Sequence, residues 1–316
     1  MVPLVIDCDA GLDDAWGLLL ALEGKPNVDL LGVTCVHGNT TVDNVCSNVQ
    51  RLLATAQRTD IPVFRGSVNP IVTCDPYERP LDFLHFHGLN GFGDVELPKV
   101  QDAREVRTEN AIVALNRMAL ENKDELTVAC FGPLTNIALV IRTFPEFVDN
   151  IKELFIMGGN HKGSGNTTMC AEFNFFRDPE AAHIVLSSAC GKITILPWET
   201  CLNTHVPYAW REALVKDGGK VMSLMDQAEA PILERGRSLG LEYWINCDQL
   251  LASIVIDQEI IKQRMECYAT VELGGHHTRG QMVVDHLRER KPNVSIITEV
   301  DVEKHKQRLL ALKKLT

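Results

Sequence analysis

The sequence predicts an α/β protein built on a wound, mostly parallel β-sheet flanked by helices. Two observations lead to this prediction. Short apolar runs rich in β-forming residues recur along the chain, and helix-like segments lie between them. The runs are nearly continuous rather than alternating, as expected for parallel strands buried on both faces. Strands and helices that alternate in this way are typical of a wound sheet, whose ligands bind at the carboxyl ends of the strands.

The predicted elements follow in chain order. The core strands are predicted at residues 2–6, 28–36, 126–131, 153–157 and 193–197. The helices are predicted at residues 13–23, 41–57, 105–120, 133–143 and 178–189. The last of these opens with Asp178 and Pro179, which suit the N-cap and first position of a helix. A leucine stripe beside basic residues predicts a final surface helix near residues 302–312.

The chain of 316 residues is long enough for two domains, although a single α/β domain often has this length. We find no linker, repeat or low-complexity tract, and we expect a single domain over residues 1–316. Residues 73–95 are rich in Pro, Gly, His and aromatic residues and are too long for a routine connector, so they are predicted to form a lid. Residues 219–245 are predicted to be helical and to form a second mobile wall.

Composition excludes several partners and compartments. The formal net charge of −11 opposes binding to nucleic acid and to anionic membranes. The first residues run directly into a predicted strand, without a signal peptide or an apolar run that could span a bilayer, so a cytoplasmic protein is expected. Ten cysteines are scattered in apolar segments without metal-site spacing, as at Cys8, Cys35, Cys130 and Cys190. We interpret them as buried reduced thiols.

Four carboxylates crowd the turn after the first predicted strand, in the run D-C-D-A-G-L-D-D that contains Asp7, Asp9, Asp13 and Asp14. Two like charges about 4 Å apart repel by about 4 kcal/mol at an effective dielectric near 20. A helix N-terminus offsets only about 0.3–1 kcal/mol per carboxylate, and the run contains no basic residue. A hard divalent cation, Ca²⁺ or Mg²⁺, explains the cluster better than an acidic loop that caps a helix.

With this turn the sequence resembles the nucleoside hydrolases, whose N-terminal signature is D-x-D-x-G-x-D-D. Further blocks match in the same order: H-G-N-T-T at 37–41, H-G-L-N-G at 87–91, G-P-L-T-N-I-A at 132–138, M-G-G at 157–159 and A-E-F-N at 171–174. The resemblance implies the open α/β fold of that family. It also implies hydrolysis of ribonucleosides to ribose and free base, as in purine and pyrimidine salvage, and assembly as a homodimer or homotetramer.

The resemblance also assigns roles to residues. It implies that Ca²⁺ is held by Asp9, Asp14, the backbone carbonyl of Phe131 and Asp248. It implies contacts to the ribose from Asp13, Asn39, Met157, Asn166, Glu172 and Asn174. Each side chain also has an ordinary structural interpretation: Asn39 suits a turn, and Glu172 and Asn174 suit a solvated strand edge.

Cleavage of a ribosyl bond passes through an oxocarbenium-like transition state, which carboxylates stabilise. Ca²⁺ is a weaker Lewis acid than zinc, so a carboxylate base is needed to activate water, and the resemblance implies that Asp9 is that base. An acidic pocket also repels phosphate groups, which favours nucleosides over nucleotides.

The residues expected near the departing nucleobase differ from the family pattern. Cys247 stands where some relatives carry His before the late metal-binding Asp, and it is either a proton donor or a packing residue. His87 is a candidate to approach the base, and Tyr243 and Trp244 are candidates to stack on it, although aromatic residues are more often core. Asn90 occupies a position where relatives commonly have Asp, which leaves base preference open.

Two other functions remain open at this stage. A D-x-D after the first strand also occurs in haloacid-dehalogenase-like phosphatases, although Gly11 replaces their usual Thr or Val and the Asp13–Asp14 pair has no role in them. A calcium-dependent nucleoside or ribose binder with little catalysis is the second alternative, because Cys247 could have replaced an efficient acid.

Overall fold

A computed structural model describes residues 1–73, 86–97 and 105–315. Its strands are β1 (Val2–Cys8), β2 (Val28–Cys35), β3 (Val63–Arg65), β4 (Leu126–Cys130), β5 (Ile151–Met157), β6 (Ile193–Leu196), β7 (Val206–Pro207), β8 (Tyr243–Trp244), β9 (Ile261–Cys267), β10 (Ala269–Val271), β11 (Met282–Val284) and β12 (Val294–Val300). Its α-helices are α1 (Leu12–Glu23), α2 (Val42–Thr55), α3 (Ala111–Glu121), α4 (Thr135–Thr143), α5 (Phe147–Asn150), α6 (Phe173–Arg177), α7 (Pro179–Ser188), α8 (Trp198–Leu202), α9 (Tyr208–Val215), α10 (Lys220–Ser238), α11 (Asp248–Ile256) and α12 (Val302–Ala311).

An eight-stranded sheet forms the centre, with strand order β3-β2-β1-β4-β5-β6-β12-β9. Its pairs are parallel except for β12 with β9, which confirms the predicted α/β class. Chain order reverses direction at β1, whose neighbours are β2 and β4. Asp7 lies opposite Thr34 of β2 and Cys130 of β4, so the carboxyl ends of these three strands meet at one edge. Ligands of wound sheets bind at such a reversal.

Both faces of the sheet are buried against helices. Successive residues of β1 supply the two sides: Leu4 and Ile6 join the core beneath α1 and α11, while Val5 joins the core beneath α3, α4 and α7. Trp16 of α1 is completely buried in the first of these cores. Continuous apolar runs therefore pack on both sides, as parallel strands require.

The five predicted core strands are confirmed, with ends that differ from the prediction by at most two residues. The helix predicted at 105–120 was wrong at its start. Arg107 instead donates its backbone N–H to Val63 and bridges to Phe64 beside β3, and Asn110 caps α3 by accepting from Ile112 N at 2.9 Å. Backbone pairing with the sheet edge outcompetes helix formation for residues 105–109.

The segment 219–245 is helical only as far as Ser238, and this prediction is corrected beyond that residue. Gly240 adopts φ +77°, a left-handed conformation that glycine tolerates, and the chain then turns into β8, which pairs antiparallel with β7. Residues 74–85 of the predicted lid 73–95 lie outside the described residues. Among the residues that are described, none of the helices has the length and apolarity that a bilayer span requires.

The cysteine prediction holds for most of the chain. The nine cysteines in the described ranges are free thiols, and seven of them are buried. Cys190 is exposed, contrary to the prediction, because it follows the C-terminal end of α7, where its thiol donates to the carbonyl of Ser187 at 3.5 Å.

Candidate active site

The acidic turn at the carboxyl end of β1 is held by its own backbone. Asp14 lies in the first turn of α1 and accepts the backbone N–H of Gly11 at 2.8 Å and of Asp9 at 3.2 Å. Ala10 adopts φ +37°, which folds the chain back between the strand and the helix. The carboxylates of this turn are therefore brought together by local structure, as its sequence predicts.

The loop after β2 fixes the orientation of Asp9. Asn39 donates its backbone N–H to Asp9 Oδ2 at 2.7 Å and its side-chain amide to Asp14 Oδ2 at 3.3 Å. Gly38 lies so close to Asp9 that a Cβ there would overlap the carboxylate. Gly132, at the start of the loop after β4, also approaches Asp9, with a hypothetical Cβ 3.0 Å from its side chain. Asp9 is thus enclosed by two glycine-containing loops.

The loops after β4 and β5 meet at Asn174. Its amide donates to the carbonyl of Phe131 at 2.6 Å and to that of Met157 at 3.1 Å. Glu172 caps α6: it accepts from the backbone of Gly159 at 2.8 Å and of Asn174 at 2.9 Å. The predicted residues at these positions therefore form one hydrogen-bonded wall beside the acidic turn, and the described geometry does not resemble a solvated strand edge.

Crowding and burial strongly perturb the carboxylates. Burial, together with the charge of Asp13, raises the pKa of Asp14 to about 7. Burial raises the pKa of Asp9 and of Asp248 well above the ordinary value, and neighbouring aspartates raise both further. Burial also raises the pKa of Glu172 to about 7, although three backbone N–H groups oppose that shift. Such a group of carboxylates is stable in the charged form only beside a positive charge.

Three of these carboxylates offer oxygens to a common point. Asp13, Asp14 and Asp248 present ligand atoms that all lie within 4.8 Å of one another. Asp9 Oδ1 and Asp248 Oδ1 are buried and have no hydrogen-bond partner among the described residues. Asp248 opens α11 and reaches the cluster from a distant part of the chain. The all-oxygen character of the group fits a hard divalent cation.

A cavity of about 560 Å³ opens beside this cluster. Its polar part is lined by predicted site residues, namely Asp13, Asn39, Phe131, Met157, Asn166, Glu172, Asn174 and Asp248. Its apolar part is lined by side chains of α8, α9, α10 and β8, among them Trp198, Tyr208, Ile232 and Trp244. A volume of this size suits a small molecule with one polar and one apolar half.

Two candidates for leaving-group chemistry also line the cavity. His87 accepts the backbone N–H of Leu12 on Nδ1 at 3.2 Å, and its Nε2 lies 3.5 Å from Asp13 Oδ1. Burial lowers the pKa of His87, so the neutral ring is favoured, with its proton on Nε2. A hydrogen bond with Cys201, reinforced by burial, raises the pKa of the Cys247 thiol well above its ordinary value.

The adjacent side chains of Tyr243 and Trp244 project from opposite faces of strand β8. Trp244 is buried, lines the cavity and meets Trp16 edge to face, with ring centroids 5.5 Å apart. Tyr243 points to the other side of β8 and stacks on His205 with centroids 4.5 Å apart. Asn90 is used within its own loop, where its side chain accepts from the backbone N–H of Phe92 and Asp94.

Several cavity residues were not predicted from sequence. Trp198 directly follows the loop at the end of β6, and the rule that ligands bind at strand ends could have identified it. Glu229 lies in α10 among charged and small residues, and its sequence pattern resembles an ordinary surface helix. Only the fold shows that it is buried in the cavity wall.

The sequence is similar to a known protein family over nearly its whole length. The family model described as inosine-uridine preferring nucleoside hydrolase matches residues 4–307. The pyrimidine-specific ribonucleoside hydrolase of Shigella boydii is 31% identical over 305 residues, which cover 95% of this chain and 94% of the relative.

Solved structures agree with that match. An inosine-guanosine nucleoside hydrolase superposes with a TM-score of 0.88 at 27% identity and 98% coverage of both chains. A purine-preferring ribonucleoside hydrolase from Gardnerella vaginalis superposes with a TM-score of 0.87 at 26% identity, covering 99% of this chain and 100% of that one. The names of these three proteins indicate different base preferences.

Proposed function

The chain belongs to the inosine-uridine preferring nucleoside hydrolase family, and we propose that it hydrolyses ribonucleosides with Ca²⁺ as its cofactor and Asp9 as the general base. Membership identifies it as an N-glycosyl hydrolase that acts on ribonucleosides, within a family that binds a metal ion. The phosphatase and the non-catalytic binder are not supported by these matches. We further propose that residues 1–316 act as one domain and assemble as a homodimer or homotetramer.

The donor set supports a calcium ion. We propose Asp9, Asp14, Asp248 and the carbonyl of Phe131 as ligands. Asp14 and Asp248 lie in one cluster with Asp13, in which the ligand oxygens are within 4.8 Å of one another, and Asp9 is not part of that cluster. The unpartnered oxygens of Asp9 and Asp248 are buried, and a cation would compensate both. The Phe131 carbonyl accepts a hydrogen bond from the Asn174 amide at 2.6 Å, and a carbonyl oxygen has a second lone pair that could bind a cation. When bound, Ca²⁺ supplies the charge that orients the attacking water and the ribose diol.

The chain's own residues carry the remaining steps. We propose that Asp9 accepts the proton of the attacking water, since Asn39 and Gly38 hold its carboxylate in one orientation. Asp13, Asn39, Asn166, Glu172 and Asn174 bind ribose hydroxyls, and Met157 packs against the sugar. The negative charge around the ribose stabilises the oxocarbenium-like transition state. The base then occupies the apolar part of the cavity beside Trp244.

One observation supports this proposal most directly: Asp13 and Asp248, two of the three carboxylates whose ligand oxygens lie within 4.8 Å of one another, line the polar end of a cavity that continues into an apolar pocket. The test is a reducing-sugar assay with purine and pyrimidine ribonucleosides on wild type and Asp9→Asn. We expect ribose release from wild type, loss of activity on chelation, and recovery on addition of Ca²⁺. Asp9→Asn should lower kcat by roughly 10²–10⁴-fold, the range typical of a lost general base.

The proposal has two distinct points of failure. Turnover that persists after complete chelation would exclude the metal. Asp9→Asn activity equal to wild type would exclude Asp9 as the base while leaving the metal proposal intact. Asp149→Asn, an exposed change far from the cavity lining, serves as the matched control and should behave as wild type.

A further inference from the structure

A buried carboxylate lies behind the loop that follows β5, and the proposed chemistry does not use it. Glu199 is the second residue of α8 and is only 5% exposed. Among the described residues, the only basic side chain that pairs with it is His161, whose Nδ1 lies 3.2 Å from Oε2. A buried carboxylate without a Lys or Arg partner needs other hydrogen-bond donors if it is to stay ionised.

The backbone of the loop supplies these donors. His161 donates its N–H to Glu199 Oε2 at 2.9 Å. Lys162 and Ser164 donate theirs to Oε1 at 2.8 Å and 3.3 Å. Both carboxylate oxygens therefore bind one short stretch of chain. Successive backbone N–H groups that converge on an anion form a nest, and the anion here is a side chain of the protein itself.

These contacts determine the charge of Glu199. Burial raises the pKa of its carboxyl, but the side chain of His161 and the backbone N–H groups of His161 and Lys162 lower it, and the resulting pKa is about 2. Glu199 differs in this from Glu172, whose pKa is raised to about 7. A carboxyl with a pKa of about 2 is ionised across the neutral range and needs no bound cation to remain so.

The loop that binds Glu199 also carries Asn166 to the cavity. Asn160 closes this loop, because its amide donates to the carbonyls of Ser164 at 2.9 Å and Cys170 at 2.6 Å. Asn166 follows Ser164 by two residues, is exposed, and lines the polar part of the cavity. Its side chain forms no hydrogen bond with another described residue. The position of the Asn166 amide therefore depends on the backbone that carries it.

We propose that Glu199 is a positioning residue for ribose binding, which holds the loop so that Asn166 presents its amide to a ribose hydroxyl. The inference rests on the proposed function, because Asn166 is a proposed ribose contact. Glu199 itself is not among the residues that line the cavity, so it acts through the loop. A displaced loop moves the amide away from the hydroxyl, and small displacements of a positioning group lower the rate strongly.

Glu199→Gln and Asn166→Ala together form a double-mutant cycle that tests this coupling. In Glu199→Gln an amide NH₂ replaces one oxygen and faces backbone donors that it cannot accept, so the loop shifts. We expect kcat/KM to fall by about 10–100-fold, in line with lost hydrogen bonds to a charged group. In the Asn166→Ala background the same change should cost less than about threefold. An equal loss in both backgrounds indicates a purely structural role and would overturn the proposal.

Amide hydrogen exchange measures the loop directly. Residues 161–164 should exchange faster in Glu199→Gln than in wild type, because their N–H groups lose an acceptor. Asp285→Asn is the matched control. Asp285 also accepts backbone N–H groups of a loop, from Leu287 at 3.1 Å and Arg290 at 2.8 Å, but lies outside the cavity lining. This variant should keep kcat/KM within about twofold of wild type.

The outcomes distinguish this inference from the proposed function. Unchanged kcat/KM or unchanged exchange in a folded Glu199→Gln protein would overturn the role of Glu199, as would wild-type activity of Asn166→Ala. If Glu199→Gln does not fold, as judged by circular dichroism, Glu199→Asp, which keeps the charge on a shorter side chain, takes its place in the cycle. Lack of ribose release by wild type would contradict the proposed function instead, and the cycle would then be measured on calorimetric Kd values for ribose with the calcium-loaded proteins.

Discussion

Asn39 donates its backbone N–H to Asp9 Oδ2 over 2.7 Å, which joins the loop after β2 to the acidic turn after β1. The neighbouring Gly38 leaves no room for a side chain beside that carboxylate. The bond and the missing side chain act together, because the backbone of residues 38 and 39 can approach Asp9 only without a Cβ at residue 38. The orientation of the proposed base thus depends on a residue that makes no chemical contact with substrate.

Gly38→Ala tests this dependence. The added methyl group overlaps the carboxylate, so Asp9 must rotate or the loop must retreat, and we expect kcat/KM to fall by roughly 100-fold with little change in fold. Steady-state kinetics and circular dichroism measure both quantities. Gly274→Ala is the control, because the nearest atom to its added Cβ lies 3.8 Å away. Equal activities of the two variants would show that Asp9 needs no such constraint.

Asp248→Asn should have opposite effects on the metal-free and the metal-loaded protein. Without a cation, loss of one charge relieves repulsion with Asp13 and Asp14, so the chelated variant should have a higher Tm than chelated wild type, by a few degrees. In excess Ca²⁺ the order should reverse, because the variant binds the ion more weakly and gains less stability from it. Thermal unfolding with chelator and with Ca²⁺ checks both signs. A variant with the lower Tm in chelator as well would argue against a repulsive cluster.

The parts of the site that sequence predicts well are those coded locally. The acidic turn follows a buried strand within a few residues, and the sheet rule places its carboxylates at the ligand-binding edge. Asp248 was assigned only through the family resemblance, since it joins the cluster from more than 200 residues away. Glu229 could not be recognised, because its burial depends on how α10 packs over the cavity. The strand β12 was missed because Ser295 and Glu299 interrupt its apolar run.

The orientation of Tyr243 and Trp244 also could not be predicted from the sequence, because it depends on how the chain folds around them. Sequence indicated two adjacent aromatic residues in a helix, whereas the short strand β8 turns successive side chains to opposite faces. Only one of the two can therefore face the cavity, and the pairing of β8 with β7 decides which one.

Trp244→Ala and Tyr243→Ala form a matched pair that tests this geometry. Loss of Trp244 removes an aromatic wall of the cavity, and we expect kcat/KM to fall by about 10–100-fold, in line with about 1–3 kcal/mol for base stacking. Tyr243 is outside the cavity lining and stacks on His205, so the activity of Tyr243→Ala should stay within about threefold of wild type. A larger loss in Tyr243→Ala than in Trp244→Ala would reverse the assignment.

Cys247→Ala asks whether the thiol donates a proton to the leaving base. Its raised pKa keeps the thiol protonated but makes proton release costly, so a packing role predicts a loss of less than about tenfold in kcat/KM. The comparison uses a nucleoside with a good leaving group, such as a nitrophenyl riboside, beside uridine or inosine. Selective loss on the natural nucleosides, with the activated riboside unaffected, would instead identify Cys247 as the acid.

Asp7 provides a prediction about stability and pH. It is buried in β1, its Oδ1 accepts from Thr34 and from Asn136 at 2.8 Å, and its Oδ2 has no hydrogen-bond partner among the described residues. Burial raises the pKa of Asp7 to about 7, against 3.8 for the unperturbed group. Because the folded-state pKa is the raised one, the folded protein is penalised as the pH rises from about 4 to about 7, and the penalty is complete above pH 7.

Asp7→Asn removes this titration, since an amide stays neutral at every pH in that range. The unpaired amide NH₂ costs the same free energy at each pH, so the informative quantity is the change with pH. We expect the stability that Asp7→Asn gains relative to wild type to be larger at pH 8 than at pH 5, by about 2–3 kcal/mol in the free energy of unfolding. Urea unfolding in chelator, which keeps a bound cation from altering the charge balance, gives the values. The exposed change Asp149→Asn should show no such pH dependence, and a difference for Asp7→Asn that is equal at the two pH values would mean that Asp7 is ionised in the folded protein.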